Sequence, residues 1–271
     1  MTDIGATFRA LHTPGNPFVL VNVWDLGSAK MMAAMGAQAL ATSSAAHAFT
    51  QGRPDGGTLT RDEALSHAQD IVAATSLPVQ GDFENGFGDD PDTCAETVRM
   101  AAEIGLAGIC IEDIKLPSND AYAFDLAAER IKAAAGAARA LPKDFVLTAR
   151  ADGIMWRAYD IDEAIKRLQA FEAAGADCLY APMTRSADDL AKITASVKAP
   201  VNALIAGKYT QLDRDAYAKM NVARLSLGSS LARVTHRAMY DAAEEMLQNG
   251  GFTLLGNSIG GDKVDALLTK D

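Results

Sequence analysis

The sequence predicts an α/β protein of the (β/α)8 TIM-barrel class, on three observations. Short runs rich in Val, Ile, Leu and Phe alternate with longer Ala-rich amphipathic stretches, the pattern of repeated βα units around a parallel sheet. Eight such runs can be counted, and eight βα units close most simply as a barrel. The length of 271 residues suits one barrel, and 49% apolar residues supply a single large core.

In chain order the strands are predicted at Phe18 to Val23, Gln38 to Ser43, Val79 to Phe83, Gly108 to Glu112, Phe145 to Arg150, Asp177 to Ala181, Val201 to Leu204 and Ala223 to Leu227, all of parallel-strand length. Helical spacing of apolar residues predicts helices at Arg61 to Thr75, Thr93 to Ile104, Ile161 to Ala174 and Ala187 to Ser196. Three helix-to-strand junctions, at Gly36, Gly105 and Gly175, place glycine where a left-handed cap is needed. No linker rich in Pro, Ser or charge divides the chain, so residues 1–271 read as one domain. The stretch 250–271, with a short apolar helix near Val264 to Leu268, reads as a tail that must dock.

A formal net charge of −10 argues against nucleic acid or anionic lipid as partner, because no basic stripe exists to neutralise phosphates. A small-molecule partner is expected instead. No window approaches the apolar length of a spanning helix and Met1 leads into a polar stretch, so the expected location is the cytoplasm. Cys94, Cys110 and Cys178 sit among apolar neighbours without zinc spacing, which fits reduced, packed thiols.

Active sites of such barrels form at the carboxyl ends of the strands. The third strand runs into Asp82-Phe83-Glu84-Asn85-Gly86-Phe87-Gly88, where the two-residue period predicts Asp82 and Glu84 on one face, and the fourth ends in Glu112-Asp113. Carboxylates converging on one mouth repel one another unless a cation offsets them, and hard oxygen donors suit Mg²⁺ or Mn²⁺. Asp82, Glu84 and Glu112 are therefore the candidate metal ligands; the plain alternative is a set of solvated acidic caps.

These motifs resemble the isocitrate lyase and phosphoenolpyruvate mutase superfamily, with its D-x-D-x-G-x-G segment and Glu-Asp strand end. The likeness extends to Asn22-Val23-Trp24-Asp25 with Ser28-Ala29-Lys30, to Thr42-Ser43-Ser44, to Pro54-Asp55, to Thr148-Ala149-Arg150-Ala151-Asp152 and to Pro200-Val201-Asn202. It implies that Asp82, Glu84 and Glu112 hold Mg²⁺ partly through water. Ser43 and the nearby backbone of Ser44 and Ala45 would bind a substrate carboxylate, Asp55 would line the pocket, Arg150 would bind a developing enolate, and Asn202 would supply a polar contact. It also implies a homotetramer, a dimer of dimers whose last helices are exchanged between subunits.

The chain departs from the lyase pattern after the fourth strand. The lyases carry K-[KR]-C-G-H there, whose Cys supplies a proton; here the stretch reads Ile114-Lys115-Leu116-Pro117-Ser118-Asn119-Asp120-Ala121-Tyr122. Lys115 and Tyr122 are then candidate proton donors, whereas Cys110, inside the strand, reads as core. His47 falls in the segment between Ser43 and Asp55, where a lone loop histidine is ordinarily solvated or structural. The expected activity is a Mg²⁺-dependent lyase reaction on a small 2-oxo acid, by C–C cleavage or decarboxylation. The alternatives are P–C chemistry of the phosphoenolpyruvate mutase or phosphonopyruvate hydrolase kind, and a silent 2-oxo acid-binding barrel. A Schiff-base aldolase using Lys208 and a phosphate site at Leu227-Gly228-Ser229-Ser230 are weighed against these.

Overall fold

A computed structural model describes residues 3–270. Eight parallel strands close in sequence order, each paired with its chain neighbour and β1 with β8. They are β1 (Phe18–Asn22), β2 (Ala39–Ala41), β3 (Val79–Asp82), β4 (Gly108–Glu112), β5 (Val146–Arg150), β6 (Cys178–Tyr180), β7 (Val201–Leu204) and β8 (Arg224–Ser226). Every predicted strand is present, several of them trimmed by a residue or two at the ends.

Before the barrel lies α1 (Ile4–Ala10), which the sequence reading passed over. After the first four strands come α2 (Leu26–Ala34), the pair α3 (Ser44–Thr50) and α4 (Arg61–Ala74), α5 (Pro91–Glu103) and α6 (Phe124–Arg139). The second half adds α7 (Gly153–Trp156), α8 (Ile161–Ala174), α9 (Ala187–Ser196), α10 (Arg214–Lys219), α11 (Ser230–Glu244) and α12 (Gly261–Thr269). Helix starts are set by side-chain caps, for instance Asp25 on Ser28, Thr60 on Glu63 and Asp160 on Glu163. The three punctuating glycines take φ of 95°, 92° and 104° at Gly36, Gly105 and Gly175, the left-handed conformation predicted for them.

Outward strand residues such as Leu40, Ile109, Ile111, Leu147 and Leu179 pack against the helices in the main core. A second cluster, Phe8, Phe18, Leu20, Ala39, Ala41, Ala107 and Val146, fills the amino-terminal end of the barrel beneath α1. The floor is thus plugged and the chemistry confined to the other end. Above it lies a buried polar layer in which Arg224 donates to Asn202, Gln80 and Thr148 at 2.8, 2.7 and 3.1 Å.

The eighth helix does not cover its own barrel. Ala232 alone in α11 is buried, and Val19 on the outer side of β1 is 37% exposed, although strands of parallel barrels are ordinarily covered on both faces. The tail returns so that α12 lies against α2, where Lys270 Nζ donates to the Ala34 carbonyl at 2.8 Å. No described helix is long and apolar enough to cross a membrane.

Candidate active site

Parallel register lays Glu112, Arg150 and Tyr180 side by side across β4, β5 and β6 at the carboxyl end of the barrel. Arg150 is the hub. Its Nη1 donates to Asp82 Oδ1 at 3.0 Å and lies 2.8 Å from Glu112 Oε1, while Nε and Nη2 fork onto Asp152 at 3.1 and 2.7 Å. The Tyr180 ring stands 5.0 Å from the guanidinium carbon. The planar fork matches a carboxylate on one edge and leaves the other edge for the mouth.

Asp82 is held from two sides. Its Oδ2 accepts from the backbone and hydroxyl of Ser44, both at 2.9 Å, and its Oδ1 lies 3.2 Å from Cys110 Sγ. Glu84 reaches the site by a different route from the one predicted. Strand β3 stops at Asp82, and Glu84 has φ of 46°, so the two-residue strand period does not carry that far. Its backbone carbonyl accepts from the Glu112 N–H at 2.8 Å and its Oε1 from the Gly57 N–H at 2.9 Å. Gly57 itself has φ of 73°, and an added Cβ would stand 2.9 Å from Leu116 Cβ. Gly57→Ala is accordingly expected to lower Tm by roughly 2–6 °C and to loosen the Glu84 carboxylate, a result checked by calorimetry.

Too many carboxylates share one cation. Burial pushes the Glu84 carboxyl up to about 7, with Asp82 and Asp55 adding to a shift that the Gly57 N–H opposes. Burial likewise raises Glu112 well above the usual carboxylate range against the pull of Arg150, and raises Asp55 with help from Asp82. Asp152 rises to about 6 for the same reason, again opposed by Arg150. Burial alone would favour a neutral Arg150, but Asp152, Glu112 and Asp82 outweigh it and keep the guanidinium charged.

Such a donor set suits a hard divalent cation: anionic oxygens, short of positive charge, at the end of a rigid barrel. It is not a ready-made cage, because among the described residues no three His, Cys, Asp or Glu side chains converge tightly enough to ligate one ion together. The guanidinium of Arg150 bridges Asp82 and Glu112 instead.

The other predicted residues divide. Ser43 caps α3, its hydroxyl accepting from Ala46 N–H at 3.2 Å, and Ser44 is committed to Asp82. Ala45 lies in the first helical turn, where an N–H has no intrahelical acceptor. Asp55 stands at the rim on the segment between α3 and α4, close enough to sense Asp82 and Arg150. Asn202 does not face the mouth. Tilted strands carry the register from Arg150 through Tyr180 down to Asn202 and Arg224, and both carboxamide atoms are engaged there, with Ser226 and Arg224 at 2.8 Å each.

Lys115 is not drawn into the cluster; its ammonium lies 5.8 Å from the centre of the Tyr122 ring. Tyr122 is fully buried and its hydroxyl donates to Asp89 at 2.7 Å while accepting from Asn85 at 2.9 Å, which removes it as a proton donor at the mouth. Lys208 is exposed and contacts the Arg185 carbonyl, so it lacks the desolvation an imine-forming lysine needs. The Leu227 and Gly228 amides already donate to Asn22 Oδ1, at 2.8 and 2.9 Å, in place of a phosphate. His47 lies on a helix, not in a loop, buried and stacked on His67 with ring centroids 3.8 Å apart. Burial and the neighbouring His67 push it down to about 4.

Sequence reading gave no role to Asp152, Tyr180 or Gly57. For Asp152 the signal was present, since it stands two residues beyond Arg150 in the quoted motif. Cys110, read as core, is buried but turns its thiol to Asp82, and burial pushes that thiol well above its usual range. Glu112 and Asp113 face opposite ways: Asp113 accepts from Tyr159 at 2.7 Å, Arg167 at 3.0 Å and the Asp152 N–H at 2.8 Å, fastening the barrel to α8.

Known proteins share this arrangement of chain. The family model described as phosphoenolpyruvate phosphomutase matches residues 8–247. A crystal structure from Burkholderia cenocepacia J2315, provisionally described as a lyase/mutase, aligns with a TM-score of 0.94 at 44% identity, covering 98% of this chain and 96% of that one. The 2-methylisocitrate lyase of Escherichia coli is 29% identical over 256 residues, 91% of this chain and 85% of its own. The oxaloacetate decarboxylase of Pseudomonas savastanoi pv. phaseolicola is 28% identical over 253 residues, 91% and 86% of the two chains. With a family model spanning most of its length and a 44% identical structure covering nearly all of it, the chain belongs to the phosphoenolpyruvate phosphomutase family, within the isocitrate lyase/PEP mutase superfamily of lyases and mutases.

Proposed function

We propose that this protein is a Mg²⁺-dependent lyase acting on a small 2-oxo acid, cleaving the bond beyond C3 by decarboxylation or retro-aldol reaction. The observation that carries the reading is Arg150, a guanidinium only 11% exposed at the barrel mouth amid more carboxylates than it can neutralise. Asp82, Glu84 and Glu112 are the residues that would hold the cation, with Mn²⁺ as the natural substitute. A cation held there would supply Lewis-acid stabilisation of the negative charge released on a 2-oxo acid when the bond breaks. Arg150 stabilises the same developing charge from the protein side, and the Ala45 amide beside Ser43 and Ser44 meets the substrate carboxylate. Asp55 closes the rim of the pocket, and Lys115, which stands outside the cluster over the Tyr122 ring, would deliver the proton by movement of the β4–α6 loop.

The named relatives support C–C chemistry, one being a 2-methylisocitrate lyase and another an oxaloacetate decarboxylase. The family description favours P–C chemistry as the second reading. Charge argues for the first: a phosphonate adds negative charge to a mouth whose single guanidinium is already forked onto Asp152. Pyruvate release from oxaloacetate and from 4-hydroxy-2-oxo acids is the expected result, with Mg²⁺ and not with EDTA. Phosphate or phosphoenolpyruvate formed from phosphonopyruvate would transfer the assignment to the second reading, and Mg²⁺-dependent ligand binding without turnover would mark a silent binder. Unchanged turnover in Lys115→Met would remove Lys115 from its role.

The same reading includes a cytoplasmic homotetramer, a dimer of dimers that exchange terminal helices. It is supported by the uncovered outer side of β1 and by Val234, Met239 and Tyr240 standing exposed on α11. A monomeric mass in solution at micromolar concentration would contradict it.

A further inference from the structure

Arg130 lies on α6, outside the barrel, and 1% of its surface is exposed. A buried guanidinium ordinarily meets a carboxylate. Among the described residues this one meets none: Nη1 donates to the Glu112 carbonyl at 3.1 Å, and Nη2 to the carbonyls of Asn85 and of Gly88, the latter at 2.9 Å. Its face lies 4.0 Å from the centre of the Tyr122 ring, and its Nε has no partner. Three donors of one rigid group therefore grip two chain segments, the turn after β3 and the last residue of β4. Those segments carry Glu84 and Glu112, and they touch directly through the Glu112 N–H and the Glu84 carbonyl.

Glu84 needs such a grip. Its positive φ is unfavourable for a residue with a side chain and persists only where neighbours over-determine it. The following turn is pinned by contacts that converge on the same place: Asn85 Nδ2 donates to the Tyr122 hydroxyl, and Thr97 Oγ1 to the Gly86 carbonyl at 2.9 Å. Arg130 closes this set from beneath. We propose that Arg130 is a positioning residue that sets the spacing of Glu84 and Glu112 by clamping their backbones, without touching the mouth itself. The choice of arginine follows, because a lysine ammonium donates from a single point and cannot span carbonyls on both segments.

The clamp is tested by amide hydrogen exchange on Arg130→Met and Arg130→Lys, beside Ile193→Ala, a core truncation on α9 that touches neither segment. At matched loss of Tm, the Arg130 variants are expected to exchange at least tenfold faster over residues 84–88 and at Glu112, and Ile193→Ala is not. Arg130→Lys keeps the charge and stem, so it provides the measurement if the methionine variant does not fold. A second readout rests on the metal reading proposed above: Mn²⁺ affinity followed by electron paramagnetic resonance falls by about 10–100-fold in Arg130→Met, as for other residues supporting a metal ligand, and partly recovers in Arg130→Lys. Equal exchange in all three variants overturns the clamp. Failure of the unaltered protein to bind Mn²⁺ overturns the metal reading instead, and the exchange data still decide the clamp.

Discussion

Replacing Arg150 by methionine is expected to lower turnover by about 10²–10³-fold and folding stability by about 3–5 kcal/mol at neutral pH. Both effects come from one geometry. The catalytic loss follows from removing the preorganised donor nearest the developing charge. The stability loss follows from stranding Asp152, which is fully buried, together with Asp82 and Glu112, so that three carboxylates remain without their cation. The pH dependence separates this explanation from simple loss of packing. Stranded carboxylates take up protons in the folded state that the unfolded chain has released, so the variant loses stability as pH rises. Urea unfolding at pH 5 and pH 8 should show the larger deficit at pH 8. An equal deficit at both, or turnover within a few-fold of the unaltered protein, would sink the assignment of Arg150 as hub.

Glu84 gives the second large effect. Its carboxyl is raised from 4.5 to about 7, so between those values the folded protein keeps a proton that the unfolded chain has lost. The sign is therefore fixed: without metal, the contribution of Glu84 is fully present below about pH 4.5 and is lost as pH rises through 7, amounting to about 3 kcal/mol. A cation wants the ionised form. Mg²⁺ should raise Tm more at pH 8 than at pH 5.5, and near pH 7 its binding should release protons, seen as calorimetric heats that vary with the buffer. In Glu84→Gln the amide oxygen can keep the Gly57 bond while the pH dependence between 5 and 7 flattens. Equal stabilisation by Mg²⁺ at both pH values would remove Glu84 from the metal site, and turnover that survives EDTA would remove the metal.

The barrel was legible because its signal is repetitive: each strand is an apolar run, and the glycines of three helix ends announce their left-handed caps. Arg150 and Glu112 were legible for a related reason, since a polar residue closing a buried strand is conspicuous. Glu84 was placed in the right region by the wrong geometry, because nothing local reveals that the strand ends two residues before it and that the backbone turns left-handed. Asn202 failed through shear, as register alone does not say how far a tilted strand has descended. The plain reading of His47 as a loop residue failed because α3 is only seven residues long, too short for helical periodicity to show, and its partner His67 lies on the next helix. Arg130 was invisible, since its partners are backbone carbonyls that carry no sequence signature at all.

Asn22 joins the beginning of the barrel to its end, donating to the Thr42 carbonyl and accepting from Leu227 and Gly228, which stand 205 and 206 residues away. At roughly 5–20 residues per second, a ribosome needs about 10–40 s to make that intervening chain. During that interval β1 has no β8 to pair with, and the barrel cannot close. The seam at Asn22 therefore can form only after the last strand has been made, and its closure removes the strand edge that would invite edge-to-edge association.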